Sequence, residues 1–325
     1  MNFRKLIFNL LVALIPIKLY RKYARNLLDG VFSSRSQVAS ENAIAKELVA
    51  YVDTAKHNVK CSETREQSNV VWQYWGQGVE NANSVVKCCF KSVDCAFSNK
   101  NWNGRIIRTD NTIIRDLLDM PESFFDKAIR GENGYSFAAL SDLIRCGLLY
   151  KYGGIWLDAS VYCSGFPDEL VNNERVIFER SANICTIEKI KWMARSSYFR
   201  WGGGDVRVNW LSSIIKVPKG DPLFGILYYA LHNYWEFESE YKNYFLAHIM
   251  FDLVKNRTGA IDNYIYLSCD DVRPHELQFA INELKGNDCL LAIVNNYHIH
   301  KLSNHLSSEK FIPKIDFLDS LIPGK

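Results

Sequence analysis

The twenty residues from Ser141 to Ser160, SDLIRCGLLYKYGGIWLDAS, constrain this chain more than any other stretch. They read as a helix, a glycine turn, a buried strand, and an aspartate set free at the strand's end. Asp142 and Arg145 lie one helical turn apart, so they project from one face. Gly153-Gly154 ends the helix, because glycine accepts the left-handed conformation of a helix cap. Ile155-Trp156-Leu157 is a short apolar run of the kind that forms a central strand, and Asp158 follows it. Open α/β sheets bind their ligands outside the carboxyl ends of strands. A carboxylate there, near a second acid and a base, points to a site for a metal and a charged, hydroxyl-rich ligand.

The flanking sequence supplies the rest of such a sheet. Val70 to Tyr74 is apolar and aromatic, bounded by Gly76 and Gly78, and reads as the first strand. Ala82 to Lys91 follows as a helix, and Arg105 to Arg108 as a second strand. Ile113 to Asp119 and Ser123 to Arg130 are short helices separated by Pro121, and Ser136 is placed to cap the helix that carries Asp142. Strands alternating with helices predict a mostly parallel sheet. In the second half, Val176 to Phe178 and Val208 to Trp210 read as strands, and Leu223 to Phe237 and Lys242 to Val254 as helices. The loop Trp201 to Asp205 holds three glycines and would border an acceptor cleft.

Charge is distributed unevenly. Residues 1–30 hold six bases and one acid, which leaves 33 bases and 35 acids in the remainder from totals of 39 and 36. A near-neutral body argues against a nucleic-acid binder. The apolar stretch from Leu6 to Ile17 is too short to span a bilayer. Lys18, Arg21, Lys22 and Arg25 then fall on one helical face, with Tyr20, Tyr23, Ala24 and Leu27 on the other. Such a segment suits an anionic membrane surface, and implies a cytoplasmic protein held peripherally on the inner face of the cell membrane. The nine cysteines are scattered without a Cys-x-x-Cys spacing, as expected of free thiols. Three segments are expected: a membrane-surface helical segment at 1–30, a helical extension and linker at 31–66 with its helix over 37–60, and the main domain at 67–325.

The central segment resembles the capsular-polysaccharide-synthesis family of bacterial glycosyltransferases, akin to the mannosyltransferase-like and clostridial-toxin-like sugar transferases. The residues that carry the resemblance are Ser141, Asp142, Arg145, Tyr152, Gly153, Gly154, Ile155, Leu157, Asp158 and Ser160. Weaker similarity runs from Val70-Val71-Trp72-Gln73-Tyr74-Trp75-Gly76 to His300-Lys301-Leu302. The resemblance implies a GT-A-type α/β fold: a Rossmann-like, mostly parallel sheet flanked by helices, with a nucleotide-sugar half at 67–165 and an acceptor half at 166–325. It also implies retaining transfer of a sugar from a nucleotide-sugar donor to a glycan or lipid-linked glycan, of the capsule or O-antigen kind. The wider superfamily has Asp-x-Asp after the strand, whereas this chain has Asp158-Ala159-Ser160.

A nucleotide-sugar donor leaves a diphosphate on which negative charge builds, so cations must gather there. Asp158 is the leading ligand for Mn²⁺ or Mg²⁺, with Ser160 adding a hydroxyl. The resemblance points to His300 as the third ligand. Asp142 would accept hydrogen bonds from donor-sugar hydroxyls, Arg145 would donate to sugar or diphosphate oxygens, and Lys301 would neutralise phosphate. Trp72, Tyr74 or Trp75 would stack on the base, and the resemblance adds Ser141 to the donor site. Asp205 and Glu238 are possible general bases, and His248 sits on an aromatic helix as a packing residue. A non-catalytic scaffold of the polysaccharide machinery is the alternative from another class, favoured by Ser160. A metal-dependent phosphotransferase would also need acids at strand ends, but no Gly-x-x-x-x-Gly-Lys loop is present.

Overall fold

The computed structural model describes residues 34–59, 68–98, 102–196, 198–201, 207–259 and 262–323, with isolated positions before residue 34. The basic segment at 1–30 therefore lies outside the described residues apart from those positions, and so does Asp205. Among the described residues, no helix is long and apolar enough to cross a membrane. All eight described cysteines are unpaired.

Eight strands are described: β1 Val70–Tyr74, β2 Arg105–Thr109, β3 Gly154–Leu157, β4 Val161–Cys163, β5 Val176–Glu179, β6 Trp210–Val217, β7 Leu267–Asp270 and β8 Ile299–Lys301. Six form one sheet in the order β2-β1-β3-β6-β5-β7, and β4 pairs with β8 in a second. In the larger sheet β6 alone runs against its neighbours, pairing antiparallel with both β3 and β5. The expected mostly parallel α/β sheet is present.

The alternation of side chains along the strands divides the core into two layers. Trp72, Tyr74, Trp156 and Ile215 join the larger cluster, under helices α1 Ser34–Lys56, α3 Phe137–Tyr152, α4 Pro222–Phe237 and α5 Leu246–Arg257. Helix α2 lies between α1 and α3 in the chain, at Ser84–Phe97. It belongs with the other layer, where Val71, Ile155 and Leu157 meet its Val93 and Phe97. Helix α4 packs on α1, α3 and α5. Pro222 sits in its first turn, and Asp221 caps it by accepting from the Phe224 N–H.

Helix α1 is built into this core. Ile44, Ala45, Leu48, Val52 and Ala55 are buried in the larger cluster. Polar residues of its first half tie it down further, with the buried Glu41 paired to Arg200 and Asn42 accepting from Arg207.

The second half departs from its sequence reading in two places. The strand expected at Val208–Trp210 begins at Trp210 and continues to Val217; the buried pair Ser212-Ser213 breaks the apolar pattern by which its full length would be read. The helix expected from Lys242 begins at Leu246. Before it, Asn243 accepts from the Phe245 N–H in a local turn and Lys242 pairs with Glu47.

Candidate active site

Helix α3 starts where Ser136 accepts a hydrogen bond from the Ala139 N–H, and it stops at Gly153. Between these points it lays Ser141, Asp142 and Arg145 over the carboxyl end of β3. The strand's two-residue period puts Trp156 and Asp158 on the same face, beneath that helix. The Arg145 guanidinium lies 5.4 Å from the centre of the Trp156 ring. It pairs with Asp142 at 2.8 Å and Asp158 at 3.1 Å, and donates to the Ser141 hydroxyl at 3.2 Å.

Asp158 is the most heavily bonded group in the site. Its Oδ1 accepts from Trp156 Nε1 at 2.7 Å and from Arg145, and its Oδ2 accepts from Lys301 Nζ at 2.9 Å. Lys301 also donates to Ser160 Oγ at 2.6 Å. Backbone pairing fixes this geometry: the Asp158 N–H donates to the Ser213 carbonyl, the Val161 N–H to the Asp158 carbonyl, and the Leu302 N–H to the Ser160 carbonyl. Val161 stands opposite Lys301 in the β4–β8 ladder, which aims the lysine at the loop.

The two carboxyls are driven in opposite directions. Burial pushes Asp142 up to about 6, with Arg145 opposing and the Asp158 charge assisting. Burial would also raise Asp158, but Lys301 and then Arg145 outweigh it and hold Asp158 well below the usual carboxylate range.

These groups line a cavity of about 720 Å³. Of the sequence candidates, Tyr74, Trp75, Ser141, Asp142, Arg145, Asp158, Ser160 and Lys301 all reach its wall. Tyr74 donates to Asn111 at 2.5 Å. Trp75 packs against the cluster that holds Ala159, the middle residue of the Asp158-Ala159-Ser160 loop.

Three candidates lie elsewhere. Trp72 is two residues before Tyr74 but buried deeper in the core, where its Nε1 donates to the Gly153 carbonyl at 2.9 Å and its ring meets Tyr152. It positions the glycine turn and has no face open for a base. His300 alternates with Lys301 on β8, so it points away from the cavity. It is fully buried between Tyr162 and Tyr297, and burial pushes it down to about 3. Glu238 is absent from the cavity wall and accepts from Tyr51 at 2.6 Å.

The proposed metal set of Asp158, Ser160 and His300 therefore does not fit a divalent ion. His300 faces the other way, and the Lys301 ammonium already bridges the two remaining oxygens. Among the described residues, no group of three or more His, Cys, Asp or Glu side chains is placed to hold a metal.

Several lining residues went unrecognised in the sequence: Ser212 and Ser213 on β6, and a wall of Tyr198, Tyr241, Tyr244, Phe245 and His275; behind the lining, the buried Trp156 indole bonds Asp158. His248 joins that wall, although it reads as a packing residue. Two hydroxyls inside a buried apolar strand were the available signal for Ser212-Ser213. Burial, followed by the charges of Arg145 and Arg180, pushes His248 down to about 3. Burial, followed by Lys301 and Arg180, does the same to His275. Both imidazoles are neutral near pH 7. His248 Nδ1, His275 Nε2 and the Tyr241 hydroxyl have no hydrogen-bond partner among the described residues.

Comparison with curated proteins gives no match. Among solved structures, a chain titled PaToxG glycosyltransferase aligns at 13% identity with a TM-score of 0.34, covering 86% of this chain and 96% of that one. The family model described as capsular polysaccharide synthesis protein matches residues 25–317, nearly the whole length, and the chain belongs to that family.

Proposed function

We propose that the protein is a glycosyltransferase that moves a hexose from a nucleotide-sugar donor to a surface polysaccharide or lipid-linked glycan. The observation that carries this reading is the chain of alternating charges Asp142–Arg145–Asp158–Lys301, set at the carboxyl end of β3 on the wall of a cavity of about 720 Å³. That volume suits a ligand of nucleotide-sugar size. Arg145 and Lys301 face the charge that develops on the leaving diphosphate. Asp142 accepts from donor-sugar hydroxyls. The wall of Tyr198, Tyr241, Tyr244 and Phe245 offers aromatic faces to the C–H surface of a sugar.

In the reaction the acceptor oxygen bonds to the anomeric carbon. The bond from that carbon to the diphosphate breaks, and its electron pair stays on the diphosphate oxygen. The acceptor's proton passes to that oxygen. Retention of configuration is the outcome proposed, by analogy with the family.

The test is incubation of the full chain with a panel of nucleotide sugars, with nucleoside diphosphate release and transfer to glycan acceptors as readouts. Saturable release with one donor is expected. Binding of a donor without any turnover would favour the alternative reading, a non-catalytic sugar-nucleotide-binding protein. That alternative draws on the occupation of Asp158 by three side-chain donors.

The raised Asp142 carboxyl gives a pH signature. Ionised Asp142 accepts the sugar hydroxyls, so kcat/KM should climb along an acid limb centred near pH 6. Asp142→Asn should lower the rate and remove that limb; a limb that persists in the variant would assign the titration to another group. Stability moves the opposite way. The unfolded carboxyl ionises at 3.8 and the folded one at about 6, so between these the folded state holds a proton that the unfolded state has lost. The Asp142 contribution therefore falls as pH rises through that window and is level above it.

A further inference from the structure

We infer that Lys301 is the resident cation of the donor site, occupying by its side chain the position that an Asp-x-Asp loop would give to a metal, so that nucleoside diphosphate binds without a divalent ion. The inference rests on the glycosyltransferase reading and says how that site handles charge.

The placement of the ammonium carries it. Nζ is 2.9 Å from Asp158 Oδ2 and 2.6 Å from Ser160 Oγ, the first and third residues of the loop after β3. These are the two side chains that the motif would turn toward an ion. An ammonium has three N–H donors and no acceptor. Two are used on the loop, which leaves one without a partner among the described residues, on a side chain that lines the cavity. The β4–β8 ladder sets Lys301 opposite Val161, and the Leu302 N–H to Ser160 carbonyl bond at 2.9 Å locks the adjoining residue to the same loop. The lysine is thus held from both sides of the chain.

Charge balance agrees. Asp142 and Asp158 face Arg145 and Lys301, two acids against two bases. A carboxylate at position 160 would leave the loop with an excess of negative charge to attract a divalent ion; the Ser160 hydroxyl leaves none. A metal entering here would have to displace Lys301 from both partners and would find a site with no net charge to offset its own. A diphosphate, by contrast, meets an ammonium and a guanidinium that are already oriented by their carboxylate partners.

The experiment is calorimetric titration of UDP and GDP into the full chain, in EDTA and then with added Mn²⁺ or Mg²⁺. The expected result is binding of at least one nucleotide in EDTA, with Kd changed less than about twofold by either metal. Lys301→Met should weaken that binding about tenfold or more, in line with the loss of a charge-assisted hydrogen bond. Lys301→Arg, which keeps the charge, should retain metal-free binding, and circular dichroism confirms that both variants are folded. Binding of the wild type that appears only with metal would overturn the inference and leave the glycosyltransferase reading standing. So would a folded Lys301→Met variant with unchanged affinity. Failure of both nucleotides to bind under every condition would remove the donor-site reading, and this inference with it.

Discussion

Asp158→Asn should abolish donor turnover and also lower folding stability by about 3 kcal/mol. The two effects share one cause. Asp158 accepts from Arg145, Lys301 and Trp156, and its charge holds the buried Arg145 and the part-buried Lys301 in place. An amide keeps the shape and loses the charge. Asp142 alone is then left to face Arg145 and Lys301, and a buried charge deprived of its partner is costly. Lys301 loses one of its two anchors, so the cations no longer converge on the diphosphate. Turnover should fall by at least about 10²-fold, the scale associated with loss of preorganised charge stabilisation. Guanidinium denaturation and nucleoside diphosphate release measure the two effects separately. A variant with the wild-type midpoint would show that the Asp158 charge does not hold the site together, and wild-type turnover would show that it is not needed for chemistry.

Gly154→Ala should be nearly as damaging, although residue 154 touches no ligand. Gly154 has φ 105°, where a side chain is strained in any surroundings. A Cβ there would also lie 2.5 Å from the Val70 carbonyl oxygen, which belongs to the neighbouring strand and cannot swing aside. Strain and overlap together should cost about 3 kcal/mol or more. Gly131→Ala is the control, because Gly131 has φ 64° and open space around it. It should cost only about 1 kcal/mol, the backbone term alone. Similar denaturation midpoints for the two variants would mean that the close approach to β1 contributes nothing. The surviving Gly154→Ala protein should also turn over poorly, because β3 carries Asp158 at its end.

These expectations explain which parts of the site could be read from the sequence. The run from Ser136 to Asp158 is local: a capped helix, a glycine turn and a strand place Asp142, Arg145 and Asp158 by their own spacing. Short apolar runs bounded by glycine were readable for the same reason, as with Val70–Tyr74, found at the expected residues. The choice between His300 and Lys301 was different in kind. On a three-residue strand, which of two neighbours faces the cavity depends on its register with β4, and that register comes from distant chain. A one-residue shift exchanges the two faces. The same limit hid β4, since three residues carry no period to detect. Trp72 illustrates a further case: an aromatic near cavity-lining residues reads as a stacking platform, but two residues farther from the strand's carboxyl end it is buried against Gly153 and Tyr152. The wall made by Tyr198, His248 and His275 comes from separate segments that only the folded sheet and helices bring together.

The burial of helix α1 has a practical consequence for making the protein. A shortened chain intended to shed the basic amino terminus has to begin before Ser34. Starting instead at the first strand, at Val70, would strip Leu48, Val52 and Ala55 from beneath α4 and α5 and leave Arg200 facing an empty socket in place of Glu41. The helix that opens the described chain is the lid of its own core, and it has to be cloned with the sheet it covers.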